Sequence, residues 1–283
     1  MNIEPTDATL GAVVTGVRLA ALTGDEWHAI ESVFHDYAVL IFPEQYATAL
    51  EQTEFARRFG EIEHLYGDSG VVPVSNQRSD GSLLEDEDPA MQIMRGNEGW
   101  HTDSSYMPLA AKASVLSAHV VPMAGGETEW ADMRAAYGAL DETTREHIAD
   151  LSAYHSIRYS QAQIGHTDPG YAGYGFDVEE PPLRSLVKIH PVTGRPSLFI
   201  GRHAYGIPDL QPDDSEKLLR DLLDFACQPP RTHRREWKPG DIAIWDNRCV
   251  LHRARPYDHA EPRSMRHTRI AGDPRSEAAA PVG

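Results

Sequence analysis

A histidine and an aspartate stand two residues apart in the stretch WHTDSSYMP, at His101 and Asp103. In an extended chain the side chains of residues i and i+2 point to the same side, so this pair can grip one ion. An imidazole and a carboxylate suit a divalent metal. The chain holds 14 histidines and 43 acidic residues, so such a pair also arises by chance as a surface histidine beside a turn aspartate. A metal site needs a third ligand.

His252 is the candidate third ligand. It follows the apolar stretch IAIW after a short polar turn and lies 149 residues beyond Asp103, so only the fold can bring it to the pair. Two histidines and one carboxylate on one face of a metal leave the opposite positions open, as in non-heme iron(II) oxygenases. The H-E-x-x-H pattern and the His/Cys sets of zinc enzymes do not occur in the sequence. The three residues therefore favour iron.

Arg263 and Thr128 could bind a co-substrate at the open positions. Arg263 lies eleven residues after His252, about the spacing of the next strand of a barrel. Its guanidinium could hold a carboxylate through two hydrogen bonds. Thr128 follows the turn AGGE and could donate its hydroxyl to the same carboxylate. The alternatives are a surface arginine and a threonine that only fills a strand.

The elements that must position these residues are mainly short strands. Two helices come first, because T-x-x-E capping boxes begin at Thr23 and Thr48, and Gly60 is expected to end the second helix. A buried strand, AVLIFP, separates them. Further strands are predicted at ASVLSAHVVP, LVKIHP, PSLFI and DIAIWD, and helical patterns at ADMRAAYGALDETTREHIADL and DDSEKLLRDLLDFA. This order predicts a mainly β, α+β chain with flanking helices, built as a barrel or jelly roll.

Composition and missing motifs limit the class of protein further. No linker or repeat divides the chain, so we predict a single domain over residues 1–283, and 41% hydrophobic residues suffice for a core. Neither a G-x-G-x-x-G nor a Walker A pattern occurs, which disfavours nucleotide chemistry. No signal sequence or run of about 18 apolar residues is present. With two cysteines, Cys227 and Cys249, outside any disulfide framework, these features predict a cytoplasmic protein without membrane contact.

The charge distribution bears on partners. A formal net charge of −17 argues against nucleic acid, whose phosphates need clustered Lys and Arg. The segment from Arg231 to Arg269 is an exception, with ten Lys or Arg against five Asp or Glu. It indicates either a solvated basic face or a pocket for small anions.

The order of W-H-T-D, G-G-E-T, W-D-N-R, H-R and the late arginine resembles the TauD/TfdA superfamily of Fe(II)/2-oxoglutarate dioxygenases over nearly the whole chain. The stretches ATLGAVVTGV, FARRFG, SQAQIGH and HPVTGRPSLFIGRHA are similar to the branch acting on (S)-phenoxypropionate and 2,4-dichlorophenoxyacetate. The resemblance implies a double-stranded β-helix (jelly-roll) core. It also implies that His101, Asp103 and His252 bind iron and that Thr128 and Arg263 bind the distal carboxylate of 2-oxoglutarate, with O₂ as the other co-substrate.

The branch implies an enzyme of herbicide degradation, a dioxygenase that hydroxylates the carbon beside the ether oxygen of aryloxyalkanoates. The products would be a phenol, a 2-oxo acid, succinate and CO₂. Trp245 is expected near the iron, and Tyr171 and Tyr174, in a long loop, are expected to cover an aryl ring or to form an oligomer contact. We also expect a homo-oligomer. The candidate substrate residues are Asn97, Ser104, Tyr106, Arg202, His203 and His267.

Two rivals stay open. One is an alkylsulfonate or alkylsulfate dioxygenase with the same core, but the taurine enzymes carry a sulfonate-binding arginine where this chain has His267, which disfavours it. The other is a noncatalytic metal-binding jelly roll that senses a small acid. If a histidine such as His203 anchors the substrate carboxylate, binding should depend on pH between about 6 and 8.

Overall fold

The computed structural model describes residues 1–64, 70–166 and 173–279. The strands within these ranges are β1 (Asn2–Pro5), β2 (Ala12–Thr15), β3 (Val39–Phe42), β4 (Val72–Ser75), β5 (Ala113–Val120), β6 (Thr128–Asp132), β7 (Ser152–His155), β8 (Leu183–Ser185), β9 (Val187–Ile189), β10 (Pro196–Leu198), β11 (Ala204–Tyr205), β12 (Thr232–Arg235), β13 (Ile242–Asp246), β14 (Val250–Ala254) and β15 (Ser264–Ile270). The α-helices are α1 (Gly24–Tyr37), α2 (Ala49–Arg57), α3 (Pro89–Gly96), α4 (Met133–Ala139), α5 (Glu142–Ile148), α6 (Ile157–Ala162) and α7 (Pro212–Ala226).

Two sheets form the centre of the fold. The larger has seven strands in the order β1-β2-β3-β13-β5-β15-β4, and the smaller has the order β12-β6-β14. They pack face to face, because Trp130 and Val250 of the smaller sheet share one buried cluster with Leu116, Trp245 and Met265 of the larger. This arrangement confirms the mainly β, α+β jelly-roll architecture.

The first two helices cover the outer face of the larger sheet. Ile30 and Phe34 of α1 and Phe55 of α2 lie in one buried cluster with side chains of β3, β5 and β13. Both predicted capping boxes are present, at the starts of α1 and α2. The prediction that α2 ends at Gly60 is wrong, because the helix ends at Arg57. The next three residues, Arg58 to Gly60, each donate a backbone N–H to the carbonyl three residues earlier, and these bonds form a tight turn.

Two helices were not predicted from the sequence. Helix α3 begins with a proline after Asp88, and α6 lies within HSIRYSQAQIGHTDPGYAGYGFD, the long loop that includes Tyr171 and Tyr174. Helix α6 begins where the Ser156 side chain accepts a hydrogen bond from the backbone N–H of Tyr159. Both helices are too short to show a clear helical period. None of the helices in the described ranges is long and apolar enough to cross a membrane. One domain over the whole chain stays a prediction.

Candidate metal centre and its cavities

Backbone pairing brings the predicted metal ligands together. The N–H of His101 donates to the carbonyl of His252 at 2.9 Å, and the N–H of His252 donates to the carbonyl of His101 at 2.8 Å. The two imidazole rings consequently lie 4.1 Å apart between centroids. Asp103 follows two residues after His101, and the ligand atoms of the three residues lie within 4.8 Å of one another.

The protonation of these three residues fits a divalent cation. His101 Nδ1 donates to the carbonyl of Gly99 at 2.8 Å, which leaves the lone pair of Nε2 for a metal. Burial lowers the pKa of His101 to about 4 and that of His252 well below its ordinary value, so both rings are neutral. Burial alone would raise the pKa of Asp103, but the guanidinium of Arg269 holds it well below its ordinary value. Two neutral imidazoles and a carboxylate are a donor set for iron(II).

Polar side chains behind Asp103 fix its carboxylate. Ser114 Oγ donates to Asp103 Oδ2 at 2.6 Å and accepts from Asn247 Nδ2 at 2.9 Å. Arg269 Nη2 lies 3.2 Å from Asp103 Oδ1. None of the three was assigned a role from the sequence. Asn247 belongs to the quoted W-D-N-R motif and Arg269 ends the basic segment, but Ser114 stands in an apolar strand with no signal.

Trp245 packs against the metal ligands, as expected. Its ring centroid lies 4.6 Å from that of His252 and 5.8 Å from that of His267, and the second pair is stacked. Its Nε1 donates to Asn247 Oδ1 at 3.0 Å. His267 also faces the centre, since its Nε2 lies 3.4 Å from Asp103 Oδ2.

Thr128 and Arg263 line the same narrow cavity as the three ligands. Arg263 is buried, and its Nε and Nη2 both donate to the carbonyl of Gly126, at 3.2 and 3.1 Å. Within the described ranges no carboxylate lies within ion-pair distance of it. Thr128 Oγ1 accepts from Trp237 Nε1 at 2.9 Å, so its own proton stays available to a ligand. Both side chains fit the predicted binding of an incoming carboxylate.

Arg202 is a second guanidinium near the centre, and it is partly buried. Its Nη2 donates to the carbonyl of Ser160 at 2.7 Å and to Gln161 Oε1 at 2.8 Å, and no acidic partner lies close in the part of the chain that the structure describes. Two glycines make room for it: a Cβ on Gly96 would lie 2.5 Å from Arg202 Nη1, and one on Gly99 would lie 2.9 Å from Arg202 Cδ. The chain is built closely around this cation.

His203 is neutral in this arrangement. Ser160 Oγ donates to the carbonyl of Ile157 at 2.9 Å, so it accepts from His203 Nδ1 at 2.8 Å. His203 Nε2 is then an acceptor, which cannot bind a carboxylate without taking up a proton. Burial also lowers the pKa of His203 well below its ordinary value. The expected dependence of binding on pH between about 6 and 8 therefore does not follow from His203 in the free protein.

Asn97 and Tyr174 lie where three cavities meet. Both line the metal cavity, a small pocket that also includes Tyr106, Arg202 and His203, and a larger apolar cavity. The ring of Tyr106 lies 4.8 Å from that of His203. The predicted substrate residues Asn97, Tyr106, Arg202 and His203 are thus brought together beside the metal ligands.

Ser104 is placed differently from the prediction. Its hydroxyl donates to Glu63 Oε2 at 2.7 Å and accepts from Arg269 Nη1 at 3.2 Å, and Ser104 lines none of these cavities. Its side chain therefore supports Glu63 and Arg269, and its backbone lies at φ +53°. Tyr171, predicted to cover an aryl ring, lies outside the described residues.

The larger cavity has a volume of about 510 Å³ and an apolar wall. Strand β4 and helix α3 supply most of this wall, and Val74, Asn97 and Tyr174 also line the metal cavity. A volume of this size falls in the roughly 300–1,000 Å³ range of small-molecule pockets. The apolar side chains of the wall are Val71, Val72, Val74, Ala90, Ile93 and Met94.

The basic segment from Arg231 to Arg269 is not one anion pocket. Arg235 pairs with Asp241 at 2.6 Å and Arg253 with Glu129 at 2.6 Å, both away from the cavity. Of the ten basic residues in this segment, only Arg263 and Arg269 line the metal cavity. Paired and solvated side chains account for most of the local charge.

A second close group, His35, His190 and Asp246, does not offer a metal site. Asp246 is bound by Arg248, whose Nε donates to Oδ1 at 2.7 Å. His190 Nδ1 accepts two backbone N–H groups, so its Nε2 carries the proton and donates to Asp246 Oδ2 at 3.0 Å. With both nitrogens of His190 occupied, this group ties the end of β13 to the turn after β9.

Known proteins match this sequence and fold. The family model described as taurine catabolism dioxygenase TauD, TfdA family matches residues 2–269. The (S)-phenoxypropionate/alpha-ketoglutarate-dioxygenase of Sphingobium herbicidovorans is 53% identical over 284 residues, covering 98% of this chain and 97% of the relative. The alpha-ketoglutarate-dependent 2,4-dichlorophenoxyacetate dioxygenase of Burkholderia sp. (strain RASC) is 36% identical, covering 89% and 88%.

A solved structure agrees with these relatives. The crystal structure of AAD-2 in complex with Mn(II) and N-oxalylglycine superposes with a TM-score of 0.90 at 40% identity, covering 99% of this chain and 100% of that one. The family match spans both the metal ligands and Arg263. The chain therefore belongs to the taurine catabolism dioxygenase TauD, TfdA family.

Proposed function

We propose that this dioxygenase uses iron(II), 2-oxoglutarate and O₂ to hydroxylate the carbon beside the ether oxygen of aryloxyalkanoates. The hydroxylated product is a hemiacetal or hemiketal, which collapses to a phenol and a 2-oxo acid, while 2-oxoglutarate becomes succinate and CO₂. The observation that carries the proposal is a pair of guanidinium groups, the buried Arg263 and the partly buried Arg202, which line cavities with the metal ligands and have no carboxylate partner among the described residues. The names and identities of the relatives support the same substrate class.

The two guanidinium groups call for two carboxylates. A buried charge without a counter-ion is costly, so a buried arginine is normally paired or fully hydrogen-bonded. Arg184 illustrates the second case, because backbone carbonyls, including those of Ser105 and Met107, surround its guanidinium. Arg263 and Arg202 make fewer such bonds and border cavities. The distal carboxylate of 2-oxoglutarate fits Arg263, and the carboxylate of the substrate fits Arg202.

The residues that line the metal cavity then have defined tasks. His101, Asp103 and His252 hold the iron, which together with 2-oxoglutarate and O₂ supplies the oxidant for C–H hydroxylation. Arg263 binds the distal carboxylate in a forked geometry, and Thr128 donates its free proton to the same group. The Trp245 ring covers one side of the ligands and excludes water.

The apolar cavity fits the aryl ring. It adjoins the metal cavity at Val74, Asn97 and Tyr174, so a ring held there leaves the short carboxylate arm of the substrate beside the metal. Arg202 lines the small pocket that shares Ile93, Asn97 and Tyr174 with this cavity. A substrate anchored at both ends presents one face of its α-carbon, which is the physical basis for a choice between enantiomers. We expect the (S) acid to be preferred.

Taurine fits this site less well. Its short chain would leave the apolar cavity of about 510 Å³ unfilled. In this chain His267 stands where the taurine enzymes carry a sulfonate-binding arginine. His267 lies against Asp103 and Trp245. An alkylsulfonate substrate would therefore lack an arginine at position 267 and would leave the apolar cavity empty.

A substrate screen tests the proposal. The iron-loaded enzyme is incubated with 2-oxoglutarate, O₂ and one of (S)-dichlorprop, (R)-dichlorprop, 2,4-dichlorophenoxyacetate or taurine, and phenol, sulfite and succinate are assayed. We expect phenol in step with succinate, and faster turnover of the (S) acid than of the (R) acid. Sulfite from taurine without phenol from any aryloxy acid would refute the substrate class. Bound iron without succinate from any compound would favour the sensor.

A single domain, a cytoplasmic location and a homo-oligomer stay predictions. Two free cysteines, one of them the buried Cys249, agree with a reducing compartment. Light scattering on the purified chain measures the oligomer directly.

A further inference from the structure

Arg269 is a buried cation that gathers polar groups from several elements. It lies on β15, and its Nη1 donates to Ser104 Oγ at 3.2 Å and to Tyr106 Oη at 3.4 Å. Its Nη2 lies 3.2 Å from Asp103 Oδ1 and also donates to the Tyr174 hydroxyl. The side chain is only 5% exposed. Unlike Arg202 and Arg263, this guanidinium already has its carboxylate partner, so it is not an open anion site.

The partners of Asp103 divide between its two oxygens. Arg269 engages Oδ1, while Oδ2 accepts from Ser114 and lies 3.6 Å from His252 Nε2. The oxygen that faces the histidines is thus Oδ2. Because the guanidinium fork is planar and rigid, its contact with Oδ1 restricts rotation of the carboxylate about its own axis. Arg269 therefore sets which oxygen is turned to the metal position.

Tyr174 connects Arg269 to the wall of the apolar cavity. The guanidinium lies 4.6 Å above the Tyr174 ring, and that ring borders both the apolar cavity and the metal cavity. Close packing holds the Tyr174 backbone, at φ +55°, in place, since a Cβ on Gly175 would lie 2.6 Å from Tyr106 Cε2. A ligand in the apolar cavity therefore contacts Tyr174, which in turn contacts Arg269.

We propose that Arg269 is a positioning residue for the metal ligand Asp103, and that Tyr174 ties this arginine to the wall of the substrate cavity. The metal-ligand part concerns this chain alone, whereas the cavity part rests on the proposed aryloxyalkanoate substrate. The consequence is that a substrate in the apolar cavity steadies the carboxylate that binds iron. Oxidation of 2-oxoglutarate is then coupled to the presence of the correct ring.

Mn²⁺ binding separates positioning from simple charge. The test uses the full chain freed of metal and titrates Mn²⁺ into the wild type, Arg269→Lys, Arg269→Met and Tyr174→Phe. If Arg269 acted only as a positive charge, Arg269→Met would bind Mn²⁺ more tightly and Arg269→Lys would match the wild type. If it positions Asp103, both variants bind Mn²⁺ more weakly, by about tenfold or more, as is typical when an outer partner of a ligand is lost.

Tyr174→Phe keeps the cavity wall and removes only the hydroxyl contact with Arg269. We expect a smaller loss of Mn²⁺ affinity than in the Arg269 variants. With (S)-dichlorprop we expect a lower ratio of phenol to succinate and a nearly unchanged KM for this substrate. Tyr37→Phe, on the distant helix α1, is the matched control and should equal the wild type. Thermal unfolding of each metal-free variant identifies any that fail to fold.

The outcomes are distinguishable from failure of the proposed function. Wild-type Mn²⁺ affinity in Arg269→Lys, or tighter binding in Arg269→Met, overturns the positioning role even if aryloxy acids are cleaved. Weaker binding in both variants supports it even if they are not cleaved. A phenol-to-succinate ratio in Tyr174→Phe equal to that of the wild type overturns the link to the cavity.

Discussion

His101 and His252 form an antiparallel bridge in which each residue donates its backbone N–H to the carbonyl of the other. The metal ligands are thus joined by main chain as well as by the ion they are expected to share. Because the bridge needs no particular side chain, exchanging one ligand should leave the backbone arrangement intact. Loss of metal and loss of fold can therefore be separated by experiment.

The first prediction concerns these ligands. His101→Ala, Asp103→Ala and His252→Ala should each abolish succinate formation and reduce Mn²⁺ affinity by at least about tenfold, because two ligands hold a divalent ion poorly. Circular dichroism should show the wild-type fold. His28→Ala, on the exposed side of α1, is the control and should keep full activity. Full turnover in any of the three ligand variants would show that these three residues do not form the iron site.

Side-chain spacing predicted the candidate ligands and pointed to Thr128 and Arg263, and the family resemblance implied their binding of 2-oxoglutarate. The same information could not supply Ser114, which binds Asp103, because a serine in an apolar strand has no distinguishing pattern. Arg269 was not assigned a role from the sequence, because its role depends on contacts with Asp103 and Tyr174 that only the fold determines.

The helices likewise divide into those that a local sequence pattern predicts and those that tertiary packing determines. Helices α1 and α2 were predicted because each capping box is a local pattern that the structure retains. Helices α3 and α6, of eight and six residues, were missed because two turns give no periodic signal and packing decides them. Helix α6 matters for function because Ser160 and Gln161 hold Arg202.

A second prediction concerns Arg263. Removing a buried guanidinium that binds a carboxylate costs about 2–5 kcal/mol, which is tens to thousands-fold in affinity. Arg263→Ala should raise the KM for 2-oxoglutarate accordingly, and Arg263→Lys should recover little, because an ammonium lacks the fork. Arg266→Ala, at a partly exposed position of β15 three residues further along the chain, should leave this KM unchanged. An unchanged KM in Arg263→Ala would assign the co-substrate to another residue.

A third prediction separates the two anion sites. Arg202→Met should raise the KM for (S)-dichlorprop by about tenfold or more, since a charged hydrogen bond to a buried carboxylate is lost, and should leave the KM for 2-oxoglutarate nearly unchanged. Steady-state kinetics with each substrate varied in turn measure both constants. Arg195→Met, in the exposed turn between β9 and β10, is the control. Equal increases of both constants would contradict separate sites.

A fourth prediction displaces Arg202 without replacing it. In Gly96→Ala the new methyl group would crowd Gln161 Oε1 and lie 2.5 Å from Arg202 Nη1, both ends of flexible side chains. The side chains can move while the fold remains, so we expect the aryloxy acid KM to rise and the melting temperature to change little.

Gly138→Ala is the matched control for this crowding, because a Cβ at Gly138 in α4 meets no atom within 4 Å. It should leave both constants unchanged and stabilise the chain by about 0.5–1 kcal/mol through a less flexible unfolded state. A wild-type KM in Gly96→Ala would show that Arg202 is not held where the substrate carboxylate binds.

The last prediction concerns Lys188, a cation of β9 that lies apart from the metal centre. Its Nζ is buried, lacks a hydrogen-bond partner among the described residues, and lies 4.5 Å above the Phe199 ring. Burial, together with the charge of Arg184, lowers the pKa of Lys188 from 10.5 to about 8. The folded protein therefore releases this proton at a lower pH than the unfolded chain does.

The sign of the pH effect follows from proton binding. Between pH 8 and pH 10.5 the unfolded chain binds more protons than the folded one, so the contribution of Lys188 to the free energy of unfolding rises with pH; below pH 8 the cost of burying the ammonium is fully present. Lys188→Met should remove this rise and stabilise the protein at pH 7 by about 2 kcal/mol, allowing for the partial exposure of the side chain. Urea unfolding of both proteins at pH 7, 8, 9 and 10 measures the difference, with the exposed Lys238→Met as control. A difference between the wild type and Lys188→Met that stays constant over this range would show that Lys188 keeps its proton in the folded protein.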